Sequence, residues 1–403
     1  MHDEGGPAHQ PGSAGEVLGL LRHGRVRTRT ELAELTKQSR TTISQRLAVL
    51  VGAGLVREAD RAASTGGRPS AAFAFDGAAH HVLAVDLGAR HATYAVADLD
   101  GTVLATTTDP VRVADGPQVV IELVGRRLEE LRAGLGLSGR APRALGIGLP
   151  GPVDHTSGRP TSPPIMPGWD GCDVRRVLGE RFGCPVFADN DANLLALGER
   201  ALAYPDVDDL VYVKVATGIG AGIISGGRLL HGAAGAAGDL GHVHSPAAGD
   251  RMCRCGNRGC LEALAGGQAV AAALTAQGVP ARSSADLTRL VQEGSLPTIQ
   301  ALRAAGRALG DVLSTCIALL NPRVLVLGGE MVAIGEPLLA GVRESVFSRA
   351  LPLAGRDLRV AVARSGALGG VRGAAHLAIE GALAPAALAA LEIPAGDEGR
   401  AAG

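Results

Sequence analysis

Aromatic residues are nearly absent. Phe, Trp and Tyr make up 2% of the 403 residues, so the core has to be built from Ala, Val, Leu and Ile. Lysine is scarcer still, with only Lys37 and Lys214, preceded by Thr36 and Val213. A Walker A loop needs Gly-Lys, which excludes P-loop nucleotide chemistry. Six cysteines are too few for a disulfide scaffold, and no signal peptide is recognisable at the start. The longest uncharged stretch, Ala263 to Ala281, contains Gly, Gln and Pro and does not read as a membrane span. The expected setting is a reducing cytoplasm, with no membrane partner.

What is present points to folded domains. Hydrophobic residues are 46% and charged residues 20%, enough for packed cores in two or three domains. The net charge of −1 hides an asymmetry. Gly15 to Asp76 carries ten Lys/Arg and six Asp/Glu, net +4, which leaves the remainder at −5. A basic end suggests an anionic partner for that end.

Residues 1–14 are Gly/Pro-rich without periodicity and read as a disordered lead. Three short helices are predicted next, over 16–22, 30–36 and 40–51, with Thr30 and Ser39 as candidate caps. In the third, Ile43, Leu47, Leu50 and Val51 recur at the spacing of one buried face. Leu55-Val56 and Phe73-Ala74-Phe75 read as strands around a polar turn, completing a winged helix-turn-helix over 15–76. After His80 strands alternate with helices, the pattern of an α/β fold. A first α/β lobe is expected over 80–196, completed by 370–385. A second with a metal loop spans 197–369, and a flexible tail 386–403.

If Ile43 and Leu47 face inward, Arg40, Thr41, Ser44 and Gln45 face out, with the donors and acceptors that base edges and phosphates require. Arg22, Arg25, Arg27 and Arg29 offer phosphate contacts, and Arg68 at the wing tip could enter a minor groove. The alternative is a helical protein-interaction module with solvated arginines. His242 and Cys253, Cys255 and Cys260 supply three thiolates and an imidazole, a complete tetrahedral shell for structural Zn²⁺. Cys172, Cys184 and Cys316 read as simple packing.

Further motifs carry a resemblance. Gly238-Asp239-Leu240-Gly241-His242, followed by Cys-x-Cys-Gly-x-x-Gly-Cys-Leu-Glu ending at Glu262, resembles the signature of the repressor–kinase family called ROK. Asp189-Asn190-Asp191-Ala192-Asn193, Gly148 to Val153 and Thr217 to Gly222 resemble its other blocks, and Gly66-Gly67-Arg68-Pro69 resembles the wing of its DNA-binding subgroup. The resemblance implies a two-lobed, actin-like (ribonuclease H-like) sugar-kinase fold behind the winged helix-turn-helix. It implies a sugar held by Asn190, Asp191, Asp239, His242 and Glu262, with one ring nitrogen of His242 on zinc and the other on the sugar. Asp191 matches the base of the kinase relatives.

The sequence also departs from the family pattern. The first phosphate loop reads Asp86-Leu87-Gly88-Ala89-Arg90-His91, with Ala89 in place of a glycine and Arg90 in place of a threonine. Thr217, Gly218 and Gly220 keep the second loop. Asp239 stands where Glu is usual, and an Asn is missing around Pro163 to Trp169. The phosphate loops are therefore expected to be vestigial and no catalysis is expected. The implied protein is a sugar-responsive repressor that binds operator DNA and a sugar or sugar phosphate as a homodimer or homotetramer. The alternatives are an ATP-dependent hexose kinase with an appended DNA-binding domain, and a regulator controlled by a transport-system protein.

Overall fold

The computed structural model describes residues 13–59, 71–349 and 351–391. The head comprises α1 (Ala14–Leu21), β1 (Val26–Thr28), α2 (Arg29–Thr36), α3 (Arg40–Gly52), β2 (Val56–Ala59) and β3 (Ala72–Phe75). Its strands form a sheet in the order β1-β3-β2. Ser13 caps α1, and Ser39 caps α3 by accepting the Thr42 N–H at 3.1 Å. Thr28, rather than Thr30, caps α2, in a reciprocal box with Glu31. Arg29 therefore already lies inside the helix. The strand β1 has no counterpart in the sequence reading, because three residues are too few to show alternation.

The first lobe runs β4 (His81–Leu87), β5 (His91–Asp98), β6 (Val103–Pro110), α4 (Pro117–Gly134), β7 (Leu145–Leu149), α5 (Val174–Phe182), β8 (Val186–Asn190) and α6 (Asp191–Ala203). The second lobe runs β9 (Leu210–Val215), β10 (Ile219–Ser225), β11 (Arg228–Leu229), α7 (Glu262–Ala265), α8 (Gly267–Ala276), α9 (Ser284–Gln292), α10 (Leu296–Leu320), β12 (Val324–Gly328), α11 (Glu330–Ala333), α12 (Glu336–Arg349), α13 (Pro352–Gly355) and β13 (Arg359–Val362). The chain then returns to the first lobe through α14 (Gly369–Ala382) and ends its described part with α15 (Pro385–Ala389).

The two sheets have one topology used twice. The orders are β6-β5-β4-β7-β8 and β11-β10-β9-β12-β13. In each, the first three strands pair antiparallel and the last two add in parallel. This repeated sheet is the actin-like, two-lobed architecture expected. The lobe boundary expected at 196/197 falls inside α6, which packs on β8 and α14 as well as on β9 and β10 and so belongs to both halves.

With few rings to fill space, close helix packing does the work. Gly369, Gly370, Gly373, Ala374, Ala375 and Ala378 line the buried side of α14, so its backbone approaches α6 and the first sheet closely. The single tryptophan, Trp169, is fully buried and donates its indole N–H to the Val113 carbonyl at 3.0 Å. Val17, Leu18 and Leu21 of α1 and Ile43, Leu47 and Leu50 of α3 share one apolar cluster with Val371, Ala378 and Ile379 of α14. The head is thus packed onto the body. Leu388 joins this cluster from α15, so the chain is ordered helix over 385–389, past the point where a flexible tail was expected.

Candidate functional site

The cleft begins with β8 and α6. Asn190 caps α6: its Oδ1 accepts the Ala192 N–H at 2.9 Å, and its Nδ2 donates to the Gly151 carbonyl at 2.9 Å. Both ends of its amide are engaged, leaving one N–H and one lone pair for a ligand. Asp191 is buried, and its Oδ2 accepts from Lys214 Nζ at 2.5 Å. Asp189 Oδ2 meets His231 Nε2 at 2.7 Å, and the His231 ring stacks on His155 with centroids 3.8 Å apart. Lys214 and His231 come from the second lobe, so two carboxylates flanking Asn190 are tied to it.

The other expected sugar residues lie on the turn Leu240–His242, on Asp239 just before it, and at the start of α7. His242 Nε2 lies 4.0 Å from Asp239 Oδ1, and its Nδ1 lies 3.6 Å from Cys253 Sγ. The ring thus has one nitrogen toward the thiols and the other toward the cleft carboxylate. Glu262 Oε2 accepts the Ile219 N–H at 3.0 Å, and its Oε1 pairs with Arg254 at 3.1 Å. Burial pushes the Asp239 carboxyl above its ordinary range, His242 opposes this, and Glu262 adds to it.

One Sγ or nitrogen from each of His242, Cys253, Cys255 and Cys260 lies within 4.8 Å of the others, a cluster that could hold a metal ion. A tetrahedral shell with metal–sulfur bonds near 2.3 Å has ligand–ligand edges of about 3.8 Å. Cys255 and Cys260 are 3.7 Å apart at sulfur, close to that edge. The turn is built by Asn257 and Gly256: the Cys253 N–H donates to the Asn257 carbonyl at 2.8 Å and the Gly256 N–H to the Cys253 carbonyl at 3.0 Å. Burial and the hydrogen bonds of Cys255 and Cys253 push the Cys260 thiol up to about 12. Burial also raises the Cys253 thiol, whereas backbone and side-chain hydrogen bonds lower that of Cys255; three thiolates this close together need a cation among them, which is the donor chemistry of Zn²⁺.

Glycines of the two loops expected to be vestigial phosphate loops lie against other side chains. The His91 ring lies over Gly88, where a Cβ would come within 2.6 Å of it. The Glu262 carboxylate sits over Gly218 in the same way. Arg90, which stands in place of the family's threonine, is exposed and lines a surface pocket with Pro110, Arg112 and Leu123. Asp86 is buried at the end of β4.

On the head, Arg40, Thr41 and Gln45 are exposed along α3, while Ser44 is half-buried and donates back to the Arg40 carbonyl at 2.9 Å. Arg68 lies outside the described residues. The arginine run from Arg22 to Arg29 is mostly committed elsewhere. Arg22 pairs with Glu380 at 2.6 Å, Arg27 donates to the Leu20 carbonyl at 3.0 Å, and Arg29 lies over the Phe73 ring at 5.2 Å. Only Arg25 of that run has no such engagement among the contacts of the described residues.

Lys214, His231, His155 and Arg254 did not stand out as site residues in the sequence. Lys214 carried a signal: it is a lone charge in an apolar central strand, Leu210–Val215.

The sequence pattern of the ROK family matches residues 82–381, and that of a helix-turn-helix domain matches residues 13–59. The xylose repressor of Caldicellulosiruptor bescii is 26% identical over 362 residues, covering 86% of this chain and 90% of that one. The crystal structure of a ROK family transcriptional regulator, a homolog of the E. coli MLC protein, superposes with a TM-score of 0.78 at 26% identity, covering 94% of this chain and 98% of that one. The ROK hexokinase from Thermus thermophilus is 33% identical with a TM-score of 0.62, and covers 74% of this chain and 97% of its own.

Proposed function

The chain belongs to the ROK family, and from that premise we propose that it is a sugar-responsive transcriptional regulator, acting as a repressor. In this reading α3 enters the major groove of operator DNA, with Arg40, Thr41, Ser44 and Gln45 toward base edges and phosphates. A sugar or sugar phosphate occupies the cleft among Asn190, Asp191, Asp239, His242 and Glu262. Zinc at His242, Cys253, Cys255 and Cys260 is structural: with four protein ligands it has no open position, and it holds the His242 ring for the ligand. Two half-sites on DNA call for a homodimer or homotetramer, working in the cytoplasm.

The observation that carries this reading is the path of α14. At its start, Gly370 packs directly against the Asp86 carboxylate, and at its end Glu380 holds Arg22 of the head. One rigid element therefore touches both the cleft and the DNA-binding head, the arrangement a ligand needs to bias one site from the other. The hexose kinase reading is less well supported. Its base, Asp191, is already paired with Lys214, and His91 and Glu262 occupy the loop positions a triphosphate would approach.

The deciding measurement is a gel shift of the full chain on its own upstream DNA with a panel of sugars and sugar phosphates. A changed affinity with one of them is expected. Unchanged affinity with every compound, or no binding to that DNA, defeats the proposal.

A further inference from the structure

Lys214 is one of only two lysines in the chain. On β9 its cross-strand partners are Gly220 on β10 and Gly328 on β12. Neither neighbour has a side chain to cover it, so the ammonium is free to lean across to the first lobe, where its Nζ reaches Asp191 Oδ2 at 2.5 Å. The pair is largely withdrawn from water, with the Lys214 side chain 22% and the Asp191 side chain 8% exposed.

A second carboxylate converges on the same point. Gly148 of β7 separates Asp86 from Asp191, and a Cβ there would lie 3.6 Å from both Asp86 Oδ1 and Asp191 Cα. Burial and the charge of Asp191 push the Asp86 carboxyl up, while the charge of Lys214 opposes this. Burial alone would lower Lys214, but Asp191 and Asp86 outweigh it and raise it above the ordinary lysine value. Two desolvated carboxylates facing each other need a cation. This chain carries its own. The charge of Glu330 also acts on Lys214, and the His91 ring lies beside Asp86, while the Arg254 guanidinium is engaged by Glu262.

We propose that Lys214 is a built-in counter-cation for Asp86 and Asp191, pairing with Asp191 Oδ2 and leaving Asp191 as an acceptor for a ligand hydroxyl without a divalent cation. The site then selects an uncharged sugar over its phosphate, because a phosphate dianion would face Asp86, Asp191 and Glu330 with Lys214 already paired. The selectivity rests on reading the cleft as a sugar site. The counter-cation role does not.

The test uses the zinc-loaded full chain, Lys214→Ser, and Lys214→Gln as a bulkier neutral replacement should the first fail to fold. Thermal shift is measured with MnCl2 alone, and binding with neutral pentoses and hexoses and their phosphates. The wild-type chain is expected to ignore Mn²⁺, whereas the neutral variants gain an Mn²⁺-dependent stabilisation that Asp191→Asn abolishes. Affinity for the neutral sugar should fall at least about tenfold in the variants, as for loss of a charge-assisted hydrogen-bonding partner. Variants with no Mn²⁺ response and unchanged sugar affinity would overturn the counter-cation role, and tighter binding of a sugar phosphate by wild type would overturn the selectivity. If no sugar binds wild type, the sugar reading fails, and the Mn²⁺ response alone then decides the role of Lys214.

Discussion

Arg22 Nη2 and Glu380 Oε1 meet at 2.6 Å, joining the end of the head's first helix to the last turn of α14. Around this ion pair, His80 Nε2 and Arg143 Nη2 both reach the Ala53 carbonyl at 2.9 Å, binding the end of α3 to the body. Burial would push the Glu380 carboxyl up, but the hydrogen bond and charge of Arg22 outweigh it and hold it below the ordinary range. Because Glu380 is 49% exposed, the pair contributes only about 1 kcal/mol to stability. In the proposed reading its larger role is coupling. A double-mutant cycle of Arg22→Ala and Glu380→Ala should return about 0.5–1 kcal/mol of interaction in denaturant melts. The ligand effect on DNA affinity should shrink in either single variant, and an unchanged effect would remove α14 from the coupling route.

Loss of a thiol should act on the metal and on the fold together. Cys255→Ser is expected to release the bound zinc, measured by inductively coupled plasma mass spectrometry, and to lower the melting temperature. Sugar binding should weaken as well, since the loop that carries His242 loses its anchor. Cys316→Ser, whose thiol packs against the second-lobe core, should leave the zinc content at one ion per chain. Full zinc retention in Cys255→Ser would show the ligand set to be wrong.

The parts of the site that were legible in the sequence are those specified locally. Cys253, Cys255 and Cys260 announce a cation within eight residues, and His242 precedes Cys253 by eleven. The outer face of α3 follows from helical period and a serine cap. What escaped depends on chain returning from far away. Glu199 looks like a solvated helix residue, yet it is fully buried because the Arg364 and Ser365 N–H groups, more than 160 positions later, converge on its carboxylate. Lys214 acquires its meaning from Asp86 and Asp191 in the other lobe. The arginines from Arg22 to Arg29 read as a basic patch, because no local pattern reveals that Glu380, the Leu20 carbonyl and the Phe73 ring claim three of them.

Stability should decline in mild acid through His81. This residue begins β4, is 2% exposed, and its Nε2 finds no hydrogen-bond partner among the described residues. Burial, then the charges of Arg132, Arg140 and His80, lower it to about 4. Above pH 6.5 the ring is neutral folded and unfolded, and it contributes no pH dependence. Between pH 6.5 and 4 the unfolded chain takes up a proton that the folded one refuses, so stability falls with pH, by about 3 kcal/mol in the limit. Below pH 4 this loss stops growing. Urea melts at pH 7.5, 5.5 and 4.5 should show a shallower decline in His81→Leu than in wild type, and parallel declines would refute the assignment.

The DNA face divides the arginines into two groups that look alike in sequence. Arg40 and Gln45 are exposed on α3; in the proposed reading they meet base edges, so Arg40→Ala and Gln45→Ala should each weaken operator binding by ~1–3 kcal/mol and relax sequence preference. Arg25 is exposed and has the character of a phosphate contact. Arg25→Ala should weaken all DNA sequences alike and reduce the salt dependence by about one counterion. Arg29 lies over the Phe73 ring, a contact worth about 0.5–1 kcal/mol at an exposed site. Arg29→Ala should therefore cost stability of that order and leave the salt slope of DNA binding unchanged. Fluorescence anisotropy across a salt series, with denaturant melts of the same variants, separates the groups. A salt-slope loss in Arg29→Ala equal to that of Arg25→Ala would return Arg29 to the DNA surface.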